Sequence, residues 1–352
     1  MIKIRSFDGN WDELASFVNR CWKVQHGGKG YFFHWHPDLL RWQLNSGDGH
    51  EDLAVVAYNG GRLVGSFLAI PYSFRLGRHS IRGSIGSWCT ADPSQPGAEL
   101  VMRLVNEQRK RHLEYELAFM LGYVANDHNS IAYRFWRRYS RAYPNLFRFQ
   151  CKSQVWLRPL DIQALAKLSL SPMQRWWLDA VSQMPIPLRK TASCYERRVP
   201  DVRDIPTADL QSFLQEGDRE CQLAIDWSEE LIKKHLCDDL VMTHIKRDSE
   251  GNIESLVSSF SIDIVGANTT QTTQIDLLRG PNSRYVGSVL RNALDDAREA
   301  GSAMAFCLGN HDSKLYLLRH GFFPIGNSVH LVSLFPTVDL PAASNDFSLV
   351  MR

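Results

Sequence analysis

The stretch LAVVAYNGGRLVGSFLAI, residues 53–70, reads as two apolar strands joined by a tight turn, because Asn59-Gly60-Gly61 accepts the positive φ angles a two-residue hairpin needs. A second hairpin-like pair follows at 72–76 and 81–91, turning at Gly77-Arg78, and Asp92-Pro93-Ser94 breaks the last strand. From Gly97 the period changes. Leu100, Val101, Leu104, Val105 and Gln108 recur at helical spacing with the apolar face toward the sheet; Ser94 is placed to cap this helix and Pro96 suits its first turn. A strand over Leu117–Val124 and a helix carrying Ile131, Phe135 and Tyr139, introduced by Asn126-Asp127-His128-Asn129-Ser130, complete an order β-β-β-α-β-α.

That order recurs. Strands at 240–247, 253–265 and 270–278 precede a helix with the apolar face Val286, Val289, Leu290, Ala293, Leu294 and Ala297. A strand at 302–308 and a short helix, Leu315 to Arg319, follow Gly309-Asn310-His311-Asp312-Ser313 and end at His320-Gly321. The reading is therefore α/β with two tandem units, each a mixed, largely antiparallel sheet flanked by helices: residues 1–157, a connector over 158–200, and residues 201–352. The connector holds Pro159, Pro172, Pro185, Pro187 and Pro200, and its Trp176-Trp177 pair reads as packing between the units or as an exposed lid. One or two helices are expected before each sheet, within 1–45 and 206–236.

At 352 residues the chain has room for two cores, and 44% hydrophobic with 22% charged residues is a folded composition. A net charge of +2, with Lys and Arg scattered beside Asp and Glu, gives no pull toward nucleic acid; Arg109-Lys110-Arg111 and Arg137-Arg138 read as solvated helix faces. Seven cysteines without a C-x-x-C pair fit reduced thiols, and no run approaches the ~20 apolar residues that span a bilayer. A cytoplasmic location without membrane insertion is expected, which makes the sequon Asn268-Thr269-Thr270 a chance match. His34-Trp35-His36 could offer alternate ligands from a strand, but no third ligand has diagnostic spacing, so no metal is expected. Cys89 reads as a buried strand thiol rather than a nucleophile, having no His/Asn context.

With the order of elements, three stretches carry a family resemblance: Leu40-Arg41-Trp42-Gln43-Leu44-Asn45 followed by the hairpin Val55–Gly65; Thr90-Ala91-Asp92-Pro93-Ser94-Gln95-Pro96-Gly97-Ala98-Glu99-Leu100; and Asn126 to Tyr133 running into an aromatic helix. Together they resemble the GNAT superfamily of acyl-CoA N-acyltransferases, specifically the tandem-GNAT enzymes associated with bacterial surface sugars. The resemblance implies an acyl-CoA co-substrate and a small-molecule amine acceptor, such as an amino-sugar nucleotide. Acylation of an aminoacyl or peptide amine and a catalytically silent acyl-CoA-binding protein are the alternatives. A homodimer is compatible with it.

Transferred residue by residue, the resemblance places pantetheine along Ser87, Trp88, Cys89 and Thr90, and the pyrophosphate at Gln95, Pro96, Gly97 and Ala98, with Asn126 and Asn129 also on the cofactor side. The family's Arg-x-x-Gly-x-Gly run is degenerate here: residues 95–99 keep one Gly, lack the Arg, and add the anion Glu99, whereas Ser283-Arg284-Tyr285-Val286-Gly287-Ser288 in the second half keeps an Arg and one Gly. The implied reaction is direct attack of a neutral amine on the thioester, with the oxyanion held by backbone N–H groups near Trp88–Thr90. Tyr133 stands where the family carries a general acid, or is a helix aromatic packed on the sheet. Asp127, His128 and His311 are candidate bases. His34, His36 and Trp42, with His311, would line the acceptor pocket, Trp42 having a plain core role as its alternative. The expectation is that the first half carries the thioester and the second walls the acceptor.

Overall fold

The computed structural model describes residues 1–26, 32–44, 51–166, 201–266, 268–280, 283–309, 314–341 and 347–349. The first half runs β1 (Ile2–Ser6), α1 (Trp11–His26), β2 (Phe32–His34), α2 (Pro37–Leu44), β3 (Ala54–Asn59), β4 (Arg62–Leu76), β5 (His79–Ala91), α3 (Gly97–Glu114), β6 (Met120–Ala125), α4 (Ile131–Ala142), β7 (Phe147–Pro159) and α5 (Ile162–Ala166). The second comprises α6 (Thr207–Gly217), β8 (Leu223–Ile225), α7 (Glu229–Ile232) continuing into a π-helical turn at Lys233–Cys237, β9 (Val241–Arg247), β10 (Ile253–Val265), β11 (Thr269–Arg279), α8 (Ser283–Glu299), β12 (Met304–Gly309), α9 (Lys314–Arg319), β13 (Phe323–Leu334) and β14 (Phe347–Ser348). This is the mixed α/β architecture expected from the sequence.

The hairpins at 53–91 form as expected, with one difference. Residues 62–76 make a single strand rather than two pieces interrupted at Pro71. Proline lacks the N–H a central ladder needs, but β3 pairs with β4 only as far as Leu68, and β8 joins only from Phe74, so Pro71 has a ladder partner on the β5 side alone.

Strand order binds the halves into one sheet: β1-β3-β4-β5-β6-β13-β7-β12-β11-β10-β2. The last long strand of each half crosses into the other. β13 lies antiparallel between β6 and β7, and β7 lies antiparallel between β13 and β12. The leading segments cross as well. β2 pairs with β10 through Asp263↔His34, and β8 pairs with β4 through Phe74↔Ile225.

The cores follow the same exchange. Leu210, Leu214, Trp227 and Ile232 from the second half pack on Ile70, Phe74, Ile85, Phe119 and Leu121 from the first. Phe17, Leu40 and Trp42 from the first half pack with Trp88 and with Phe260, Ile262 and Phe306 of the second. At ~1.5–3 kcal/mol per buried large side chain, these shared clusters oppose separation of the halves. On the other face α3 and α4 cover the first half's strands, and α8 and α9 cover the second's. In the connector, α5 packs Leu165 against Leu157, Ile264 and Met304; the remainder, with Trp176-Trp177, lies outside the described residues. Among the described residues no helix is long and apolar enough to cross a membrane.

Candidate functional site

β5 and β6 run parallel and pair at Ser84↔Met120 and Ile85↔Leu121, then part, although β5 continues to Ala91 and β6 to Ala125. Glycines make the apex. A Cβ on Gly122 would stand 3.2 Å from the Gly86 carbonyl oxygen, and one on Gly86 would overlap the Met120 methyl at 1.7 Å. Beyond the apex the β4–β5 register slips between Ser66↔Thr90 and Leu68↔Ser87, a bulge at which Trp88 adopts φ +48°. For a tryptophan this is a strained conformation, and it is anchored by the Ser66 hydroxyl donating to the Trp88 carbonyl at 2.8 Å. Beyond Ile85, β5 has no ladder partner on its β6 side.

The residues expected along this edge are all at the fork. Ser87 and Cys89 are half-buried, and Thr90 accepts from Trp22 Nε1 at 3.2 Å. Burial pushes the Cys89 thiol up to about 12, so it carries no thiolate at neutral pH. The indole N–H groups of Trp88 and Trp35 are buried with no partner among the described residues, and the two rings meet edge to face at 4.9 Å.

Past the bulge the chain turns on Asp92. Its buried carboxylate accepts from the Ser94 N–H at 2.9 Å and the Ser94 hydroxyl at 2.7 Å, and it pairs with Arg62 at 3.1 Å and Arg20 at 3.6 Å. Burial pushes the Asp92 carboxyl up, but the Ser94 hydrogen bonds and the two guanidinium groups outweigh it and hold the group below the usual range. Ser94 does not cap α3, contrary to the sequence expectation, because its hydroxyl is committed to Asp92. The N-cap is Pro96, which supplies no side-chain bond, so the first-turn N–H groups of this 18-residue helix stay open. An added Cβ at Gly97 would touch nothing within 4 Å. Arg20 and Arg62 bring positive charge to a loop whose own sequence has none.

At the end of β6 the site is completed by the other half. The Asn126 N–H donates to the Ser328 carbonyl at 2.8 Å, its side-chain amide donates to the Ser328 hydroxyl at 3.0 Å, and its carbonyl oxygen lies 3.1 Å from His330 Nε2. Asp127, His128 and Asn129 are exposed; Asp127 accepts from the Asn129 N–H at 3.0 Å, which shapes the turn into α4. Ser130 caps α4 by accepting from the Tyr133 N–H at 3.1 Å. The Tyr133 ring is buried against His128 at 4.6 Å and against Phe149 and His330 at 6.0 Å. Burial, with the neighbouring charges of Lys152 and His128, lowers the His330 pKa, so its imidazole is neutral near pH 7. His330 was not expected from sequence. It lies 204 residues from Asn126 and arrives on the exchanged strand β13; the alternation of residues 328–334 was the available signal.

Of the expected acceptor residues, Trp42 shares a buried cluster with Trp88. His34 pairs with Asp263 at the far sheet edge, and His36 is exposed, 3.5 Å from Asp38. Of the His34-Trp35-His36 run it is Trp35 that touches the fork. Trp42 is buried, donates to the Lys234 carbonyl at 2.9 Å and packs edge-on to Phe260 at 5.1 Å, which is a core position. His311 lies outside the described residues. No cluster of three or more His, Cys, Asp or Glu among the described residues is arranged to hold a metal ion.

No family model and no curated protein matches the sequence. Solved structures do match the fold. The chain is similar to Saccharomyces cerevisiae N-myristoyltransferase with bound myristoyl-CoA at TM-score 0.76 and 12% identity, covering 97% of this chain and 84% of that one. A second structure of that yeast enzyme with bound myristoyl-CoA matches at TM-score 0.75 and 12% identity, over 95% of this chain and 78% of that one. A third, with myristoyl-CoA and inhibitors, gives TM-score 0.76 and 11% identity over 99% and 86%. At this identity the likeness establishes the fold.

Proposed function

We propose that the chain is an acyl-CoA-dependent N-acyltransferase whose thioester lies in the β5–β6 fork. The observation that carries this reading is the fork itself: an unpaired strand edge at residues 86–90 leading directly into a helix with an uncapped N-terminus. An extended pantetheine can add to such an edge as a strand would. Its pyrophosphate fits the open N–H groups of Gly97 and Ala98, with the helix dipole and Arg62 and Arg20 offsetting its charge. The similar structures hold myristoyl-CoA, which supports an acyl-CoA co-substrate.

In the reaction the amine nitrogen attacks the thioester carbonyl, the C–S bond breaks, and the thiolate leaves with a proton. Backbone N–H groups at the Trp88–Thr90 bulge face the position of the developing oxyanion. His330, neutral and hydrogen-bonded to Asn126, joins His128 and Asp127 as a proton acceptor for the attacking amine. Tyr133, whose hydroxyl has no partner among the described residues, protonates the sulfur. The acceptor approaches from the side built by β13 of the second half.

The three structures compared are N-myristoyltransferases, which favours an aminoacyl or peptide amine over an amino-sugar nucleotide as acceptor. A cytoplasmic location, where CoA thioesters are available, belongs to the same reading. Free-thiol release from acyl-CoA should appear with peptides bearing a free N-terminal amine. Release with amino-sugar nucleotides and not with peptides would reverse the choice of acceptor.

A further inference from the structure

The second half repeats the fork. β11 and β12 run parallel through Thr273↔Ala305 and Gln274↔Phe306 and then part, while β11 continues to Arg279 and β12 to Gly309. A bulge sits just past this apex too, where the β10–β11 register slips between Ser258↔Leu277 and Ser259↔Ile275 and leaves Asp276 as the extra residue. The apices are tied alike. Ser84 Oγ bonds His112 near the end of α3 at 2.7 Å, and Thr273 Oγ1 bonds Ser302 just after α8 at 2.7 Å.

The helices that follow the two inner strands carry a tyrosine at the same place. Ile131-Ala132-Tyr133 opens α4 after His128-Asn129-Ser130, and Lys314-Leu315-Tyr316 opens α9 after His311-Asp312-Ser313, a repeated His-x-Ser-x-x-Tyr. Tyr316 is 5% exposed and belongs to one buried cluster with Ile275 of β11, Val286 of α8 and Cys307 of β12. Its hydroxyl is buried and has no hydrogen-bond partner among the described residues. A buried hydroxyl left unpaired is costly and asks for an explanation. Phenylalanine would fill the same volume without that cost.

We propose that the β11–β12 fork is a second binding site for the pantetheine arm of a CoA thioester, with the Tyr316 hydroxyl donating to a carbonyl of that arm. Pantetheine suits it because its amides alternate donors and acceptors along an extended chain, matching a strand edge. The inference rests on reading the β5–β6 fork as a thioester site.

The test is hydrogen exchange by mass spectrometry on the full chain with and without saturating acetyl-CoA, paired with calorimetric stoichiometry. Two sites per chain are expected, with slowed exchange at 275–279 and 307–309 as well as at 86–91 and 122–126. In Tyr316→Phe the second fork should lose about tenfold in affinity, the equivalent of one hydrogen bond, while the first is unchanged and the ligand-free protein melts no lower. One site per chain with protection confined to the first fork overturns the proposal and leaves the acyltransferase reading intact. Absence of binding removes both, and undiminished second-fork binding in Tyr316→Phe overturns the role of the hydroxyl.

Discussion

Replacing Asp92 should separate two contributions that the structure places on different oxygens. Both Ser94 bonds reach Oδ1, whereas Arg62 and Arg20 reach Oδ2. Asp92→Ala loses everything. The Ser94 bonds to a charged acceptor are worth ~1.5–3 kcal/mol each, and the arginine pairs, with guanidiniums 62% and 43% exposed, are screened to ~0–1 kcal/mol each. Together these sum to about 3–8 kcal/mol, and about tenfold weaker acyl-CoA binding is expected because the α3 entry loop loses its anchor. Asp92→Asn keeps an acceptor for Ser94 but turns an N–H toward the arginines, so about 1–2 kcal/mol is expected. The pH dependence follows from the lowered pKa. A carboxylate held below its unfolded value of 3.8 contributes stability that is complete above that value and is lost as pH falls through the folded pKa. Thermal melts of the three proteins from pH 8 to pH 3 provide the assay. The gap between wild type and Asp92→Asn should stay constant down to about pH 5 and narrow below about pH 4. Equal losses in the Asn and Ala variants, or a gap that widens in acid, would refute the reasoning.

Three further outcomes are expected. Tyr133→Phe should lower kcat by about 10²- to 10⁴-fold with little change in KM for acyl-CoA; an unchanged kcat would confine the ring to packing against His128 and Phe149. Gly122→Ala, whose new methyl would meet the Gly86 carbonyl at 3.2 Å, should cost about 1–3 kcal/mol by forcing the fork apex apart, whereas Gly97→Ala enters open space and should leave the melting temperature within about 1 °C; the two melts compared side by side check this. Burial lowers the His112 pKa to about 4, so the unfolded chain binds the extra proton first, and stability should fall between about pH 6.5 and pH 4, by at most about 3 kcal/mol. Denaturant titrations of wild type and His112→Gln across that window should show the steeper fall in wild type. Parallel curves would remove His112 as the cause.

The hairpins and α3 were legible because they depend on nearby residues, whereas the strands β7 and β13 went unread. Asn59-Gly60-Gly61 fixed the first hairpin, the 100-101-104-105-108 spacing fixed α3, and the repeated order pointed to two units. What escaped was set by pairing across distance. β7 alternates plainly, with Phe147, Phe149, Cys151 and Ser153 against Arg148, Gln150 and Lys152, yet nothing in that pattern says its neighbours are β12 and β13 rather than β6. For the same reason His330 could not be placed beside Asn126. Ser94 looked like a cap because sequence does not reveal that the buried Asp92 takes its hydroxyl. Trp42, legible as an aromatic near the site, is held in the core by the Lys234 carbonyl, a partner 192 residues away.

The central claim is most directly tested by incubating the full chain with acyl-CoA and a panel of amines and following the free CoA thiol together with the mass of the acceptor. The account predicts stoichiometric thiol release and an N-acylated amine, both abolished when the thioester is replaced by desulfo-CoA. Neither thiol release nor acceptor acylation with any amine, in a protein shown to bind CoA at residues 86–91, would contradict it.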